Sequence, residues 1–119
     1  MCMSGHVLFI DKKSHQETNI ESKLTGTLTL PKQQPVVVQL KTSPEEIKHF
    51  KVEGVNLVII FNNGDVLTIV GYFEADNSLV LKSKNDGTLN WVEFVNDEQE
   101  GFVVKYSALE EIEPLLYDD

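Results

Sequence analysis

NLVIIFNNGDVLTIVGYFEADNSLVLKSKNDGTLNWVEFV, residues 56–95, is a series of apolar runs separated by polar turn signals. Leu57–Phe61 and Val66–Phe73 flank Asn62-Asn63-Gly64-Asp65, and Asn-Gly is the strongest short hairpin signal because both residues tolerate positive φ. Glu74-Ala75-Asp76-Asn77 then turns the chain into Leu79–Lys82, and Asn85-Asp86-Gly87 turns it again into Thr88–Val95. The pattern predicts an up-and-down antiparallel meander at the centre of an all-β protein. In its last strand Leu89, Trp91, Glu93 and Val95 share one face, and Asn90, Val92 and Phe94 share the other. Trp91, the largest side chain, is expected to anchor the core.

Upstream, Val7–Asp11 reads as a short strand and the following KKSHQETNIESK as loop or exposed edge. Leu24–Leu30 is Thr-rich and interrupted by Gly26. Pro31 and Pro35 bracket a turn before Val36–Thr42, whose VVV start suggests burial on both faces. Ser43-Pro44-Glu45-Glu46 has the form of a helix start, with an N-cap Ser, Pro at the first position and a Glu completing a capping box. A short helix would put Ile47 and Phe50 on its apolar face and stop at Gly54. Phe102–Tyr106 is a final strand. Ser107 and Glu110 could cap a one-turn helix stopped by Pro114; alternatively, Leu109, Ile112, Leu115 and Leu116 pack on the sheet as an irregular segment. Met1–His6 is expected to be loose, and 117–119 an acidic tail.

These segments predict one all-β domain over residues 1–119. Its form would be a small antiparallel β-sandwich, or a partly open barrel, of about seven or eight strands with one or two short helical turns. The sandwich is preferred because the Pro-bracketed connections suit strands that change sheets. A chain of 119 residues with 41% apolar content can bury a core without metals or disulfides.

Nineteen Asp and Glu oppose ten Lys, with no Arg, giving a net charge of −9. That balance disfavours nucleic acid and anionic membrane surfaces, both of which are bound through basic residues. Residues 97–119 hold eight acids and one Lys, so −7 of the −9 lies there. Cys2 has no partner for an internal disulfide and is expected in a frayed end. Val7–Ile10 is too short for a secretory leader, and no run approaches a membrane helix.

Chemistry is not visible in these patterns. His6, His15 and His49 lie in unrelated contexts without the spacing of a zinc site, and are expected to face solvent. The Asn-Gly and Asp-Gly loops lack the alternating ligands and terminal bidentate Glu of a calcium loop, so calcium is not expected here. No Gly-rich phosphate loop or Ser/Cys nucleophile context appears. No catalytic, cofactor-binding or metal-binding residue is therefore assigned. A carboxylate hydrolase would need two acids held across a cleft.

The order Gly54–x–Asn56-Leu57-Val58, Asn63-Gly64-Asp65, Phe73, Asn77–x–Leu79-Val80, Asp86-Gly87–x–Leu89–x–Trp91 and Phe94, closing with Tyr106–x₅–Ile112–x–Pro114-Leu115-Leu116, forms a recognisable set. Over Val36–Leu116 it resembles the N-terminal prefix domain of BapA-like biofilm-associated proteins, very large bacterial surface adhesins. The resemblance implies a non-enzymatic module of a cell-surface protein exported by type I secretion and active in adhesion and biofilm formation. Its partners would be export or outer-membrane machinery, or neighbouring adhesin domains. It implies no binding residues. From the residues alone, a stand-alone cytoplasmic binding domain is the other class, dimerising through a strand edge such as Val36–Leu40.

Overall fold

The computed structural model describes residues 6–21, 26–30, 34–83, 86–97, 101–111 and 115–116. The expected loose 1–5, Cys2 among them, and the tail 117–119 lie outside the described residues; His6 instead opens the first strand. The strands are β1 (His6–Asp11), β2 (Glu17–Glu21), β3 (Gly26–Thr29), β4 (Val36–Leu40), β5 (Ile47–Glu53), β6 (Asn56–Phe61), β7 (Val66–Val70), β8 (Ser78–Lys82), β9 (Leu89–Asp97) and β10 (Gly101–Leu109). They form a six-stranded sheet, β10-β9-β8-β4-β1-β2, and a four-stranded sheet, β3-β7-β6-β5. No helix among the described residues is long and apolar enough to cross a membrane.

The sheets pack face to face as a sandwich. Leu57, Ile59, Leu67 and Ile69 from one sheet meet Val38, Leu40, Leu79, Leu81 and Val92 from the other in one buried cluster. Alternation along each strand puts these side chains on the inner face. The six-stranded sheet also has a buried cluster on its outer face, where Ile10, Val37 and Val80 pack with Leu8, Leu89 and Leu109 of the same sheet and with Leu115 and Leu116. Burial on both faces explains the unbroken VVV of β4 and the LVL of β8. Leu109 at the end of β10, Leu115 and Leu116 pack on this face, while Ile112 and Pro114 lie outside the described residues. Ser107 lies within β10 and caps no helix.

Ten strands rather than seven or eight are present among the described residues. One addition is β2, which pairs antiparallel with β1 at a sheet edge and is exposed at Glu17, Thr18 and Asn19. The other is β5, where a helix was expected. The turn at Pro44–Glu46 is a single 3-10 turn, and Ile47 is already extended. Glu46 Oε1 accepts from the Ser43 N–H at 3.1 Å and from Thr42 Oγ1 at 2.9 Å, so the capping interaction stabilises a tight turn rather than a longer helix. Ile47–Glu53 then pairs with β6, and Phe50 points into the core. Pairing with an apolar neighbour overrides weak local helix propensity.

The sheets are mixed rather than wholly antiparallel: β3 pairs parallel with β7, and β4 parallel with β8. The central meander is divided accordingly. The Asn-Gly hairpin joins β6 to β7 as expected, but the chain leaves that sheet after Val70. Gly71 adopts φ 81°, ψ 14°, a left-handed geometry that costs glycine little, and a 3-10 turn follows at Tyr72–Glu74. The next strand, β8, belongs to the other sheet, where β8-β9-β10 form their own antiparallel meander.

Two Asn side chains fasten this crossing. Asn56 Oδ1 accepts from the Gly71 N–H at 3.0 Å. Asn77 Oδ1 accepts from the Val36 N–H at 2.9 Å, while Asn77 Nδ2 donates to the Tyr72 carbonyl at 2.8 Å. With β4 flanked by β8 and β1, Val36–Leu40 is an interior strand and offers no edge for a dimer.

Candidate interaction surface

The crossing from β7 to β8 leaves a cleft of about 310 Å³ beside the start of β8, lined in part by Tyr72, Phe73, Asp76, Trp91, Glu93 and Phe94. Its aromatic wall is one connected group. Phe94 meets Phe50 edge to face at 5.3 Å between centroids, Tyr72 at 5.9 Å and Phe73 at 5.8 Å, and Tyr72 meets Phe73 at 4.9 Å. Edge-to-face contact suits the negative faces and positive edges of these rings. Phe73 is 37% exposed, whereas Tyr72 is buried.

Trp91 does not anchor the core. It is half-buried and lines the cleft, and the face it shares with Leu89 is the outer one. The alternation along β9 was read correctly, but the core takes the Val92 and Phe94 face.

Beneath the cleft, Lys12 is almost fully buried just after β1, where its Nζ donates to Ser78 Oγ at 2.8 Å and lies 3.7 Å from Asp76 Oδ2. Burial lowers the Lys12 pKa from its ordinary value, and Asp76 partly restores it by favouring the charged ammonium. Burial also raises the Tyr72 pKa well above its usual range, reinforced by the nearby Asp76 charge. Lys12 lies far in sequence from Asp76 and Ser78, and the only local signal for the group is the turn-forming Asp76-Asn77.

Asp76 and Glu93 are two acids on one cleft, the minimum a carboxylate hydrolase would need. The Asp76 side chain is 74% exposed and salt-bridged to Lys12. The pair thus joins an exposed carboxylate to a buried ammonium.

The polar turns are engaged by their own neighbours. Asn63 Oδ1 accepts from the Asp65 N–H at 2.9 Å, and Asn62 Nδ2 donates to the Glu45 carbonyl at 2.7 Å. Asp86 Oδ1 accepts from the Thr88 N–H at 3.0 Å, a bond that holds the Asp86 carboxyl below its usual range. His15 and His49 are exposed and separate; the His6 side chain lies outside the description. Among the described residues no group of three or more His, Cys, Asp or Glu is placed to hold a metal ion.

No curated protein and no solved structure matches the chain. A family model does, that of the BapA, prefix-like domain, over residues 6–119. The match includes the N-terminal strands that the motif resemblance left out, and the chain belongs to the BapA prefix-like domain family.

Proposed function

We propose that the chain is the N-terminal module of a bacterial biofilm-associated adhesin. It acts without catalysis, by retaining or anchoring the protein through contact with another protein, at the cell surface or the outer-membrane side of the envelope. The observation that carries this reading is the family match across residues 6–119. Type I secretion is the export route this reading assigns to the whole protein.

The test is deletion of residues 6–119 from the chromosomal copy of the complete protein. The expected result is continued export, with the protein shifted from whole cells to the culture medium and biofilm mass reduced. Unchanged cell association and biofilm mass would overturn the proposal.

A further inference from the structure

The two sheets have four edges, and three carry features that deter pairing with another strand. β3 is only four residues long. β2 places Glu17 and Glu21 at its two ends. β5 carries Lys48, Lys51 and Glu53 and an irregular register between Ile47 and His49. Short length, charge and bulges are the ordinary protections of an exposed edge. β10 has neither the short length nor the bulge. It runs nine residues, GFVVKYSAL, in unbroken register with β9, and carries a single charge, Lys105.

The hydrogen-bond phase shows which groups this edge presents. The Ser83 N–H donates to the Thr88 carbonyl at 2.9 Å, continuing the β8-β9 ladder. Bonding groups alternate sides along an antiparallel strand, so even-numbered residues of β9 bond toward β8 and odd-numbered ones toward β10. Through the β9-β10 register, odd-numbered residues of β10 face β9. Val104, Tyr106 and Ala108 therefore direct their N–H and C=O groups away from the sheet. Tyr106, 46% exposed, is the largest side chain on this rim.

Charge decides between occupants. Asp97, Glu98 and Glu100 precede β10, and Glu110, Glu111 and Glu113 follow it. A second copy paired antiparallel along β10 would set the acids after one strand against the acids before the other, at both ends of the ladder. Like charges so placed destabilise pairing. A strand with an apolar centre and basic ends meets the opposite situation.

We propose that β10 is a β-augmentation site for an extended segment of a different polypeptide, with an apolar centre and Lys or Arg at both ends. Main-chain bonds to Val104, Tyr106 and Ala108 supply affinity, and the flanking acids select the basic ends. The proposal deepens the protein-contact reading above, and the two fail separately: deletion in cells tests retention, whereas peptide binding is read on the isolated chain.

The test uses the end-blocked peptide Lys-Thr-Val-Thr-Val-Thr-Lys and its Glu-ended counterpart, with amide hydrogen exchange of the whole chain as readout. The Lys-ended peptide is expected to slow exchange at Val104, Tyr106 and Ala108 at least tenfold. It should bind at least tenfold more tightly than the Glu-ended peptide at low salt, a gap that narrows in 0.5 M NaCl. Ala108→Pro removes one outward N–H without breaking a bond to β9 and should weaken binding at least tenfold, whereas Ala108→Ser should bind like the parent. No protection at millimolar Lys-ended peptide, equal binding of the two peptides, or full binding by Ala108→Pro each overturns the proposal. So does a dimer in sedimentation that protects β10 without peptide and dissociates in Ala108→Pro, which would make a second copy the occupant.

Discussion

Phe50 of β5 and Phe94 of β9 meet at 82° with centroids 5.3 Å apart, a direct ring contact between the two sheets. Phe94 also touches both aromatic residues of the crossing turn, so it joins three parts of the chain. Phe94→Ala should cost about 2–3 kcal/mol, below the full-burial range because the residue is only partly buried. Urea unfolding of Phe50→Leu, Phe94→Leu and the double variant should give a coupling of about 0.5–1.5 kcal/mol. Additive effects would mean that the contact contributes nothing beyond buried area.

Lys12 and Ser78 give a test with opposite expectations for two substitutions at one contact. Ser78→Ala leaves the buried ammonium without its 2.8 Å acceptor and should destabilise by about 1–3 kcal/mol. Lys12→Met removes the charge while keeping most of the volume, and should leave stability within about 1 kcal/mol of the parent or raise it. Chemical denaturation at pH 7 distinguishes them; a large loss in Lys12→Met would show the ion pair to be a net stabiliser.

Alkaline stability should carry two opposed signatures. The folded-state pKa of Lys12 is lowered from 10.5, so in the window just below that value the unfolded chain binds more protons and stability rises with pH. Tyr72 is shifted the other way, above its usual 10.0. Above pH 10 the unfolded chain therefore loses the tyrosine proton first, and stability falls as pH rises. Tyr72→Phe should lessen that fall, leaving the part that Tyr106, also shifted up by burial, supplies, and Lys12→Met should remove the rise, in melting curves taken from pH 8 to 11.

Gly71 and Asn77 hold the crossing between sheets. Gly71→Ala places a Cβ 2.9 Å from Glu74 Oε1 and imposes a positive φ on alanine, which should cost about 1–2 kcal/mol. Asn77→Ala removes one acceptor and one donor serving the Val36 N–H and the Tyr72 carbonyl, and should cost about 2–3 kcal/mol. Thermal melts measure both. Gly64→Ala, with the same handedness but open space around it, separates backbone strain from the Glu74 contact.

Legibility in the sequence followed burial. The VVV of β4, the Asn-Gly hairpin and the β8-β9 turn were readable because apolar runs and turn residues are local signals. β2 and β5 were missed as strands because an edge leaves most side chains in water; in β5 only Phe50 is buried. Val66–Phe73 reads as one strand because it is mostly apolar, and the change of sheet at Gly71 is held by contacts distant in sequence, Asn56 to Gly71 and Asn77 to Val36. Trp91 was assigned to the core by size, yet period-two alternation fixes which residues share a face without saying which face is covered. The Lys12–Ser78 contact depends on residues 66 positions apart and has no local sign.

The two parallel pairs share one offset. Gly26 lies opposite Leu67, and Val37 opposite Ser78, each across 41 positions, so two connections between the sheets run side by side. Closing a loop of that length costs about 3 kcal/mol of chain entropy before any ladder bond forms. Neither β3 nor β4 can acquire its parallel neighbour until the chain through β7 and β8 has been made. The β6-β7 and β8-β9-β10 hairpins can close locally, whereas joining them to β3 and β4 requires both long loops to close. That sets the folding time in the milliseconds-to-seconds range of proteins dominated by non-local pairing. A nascent chain of this kind remains open until nearly the whole module has been synthesised.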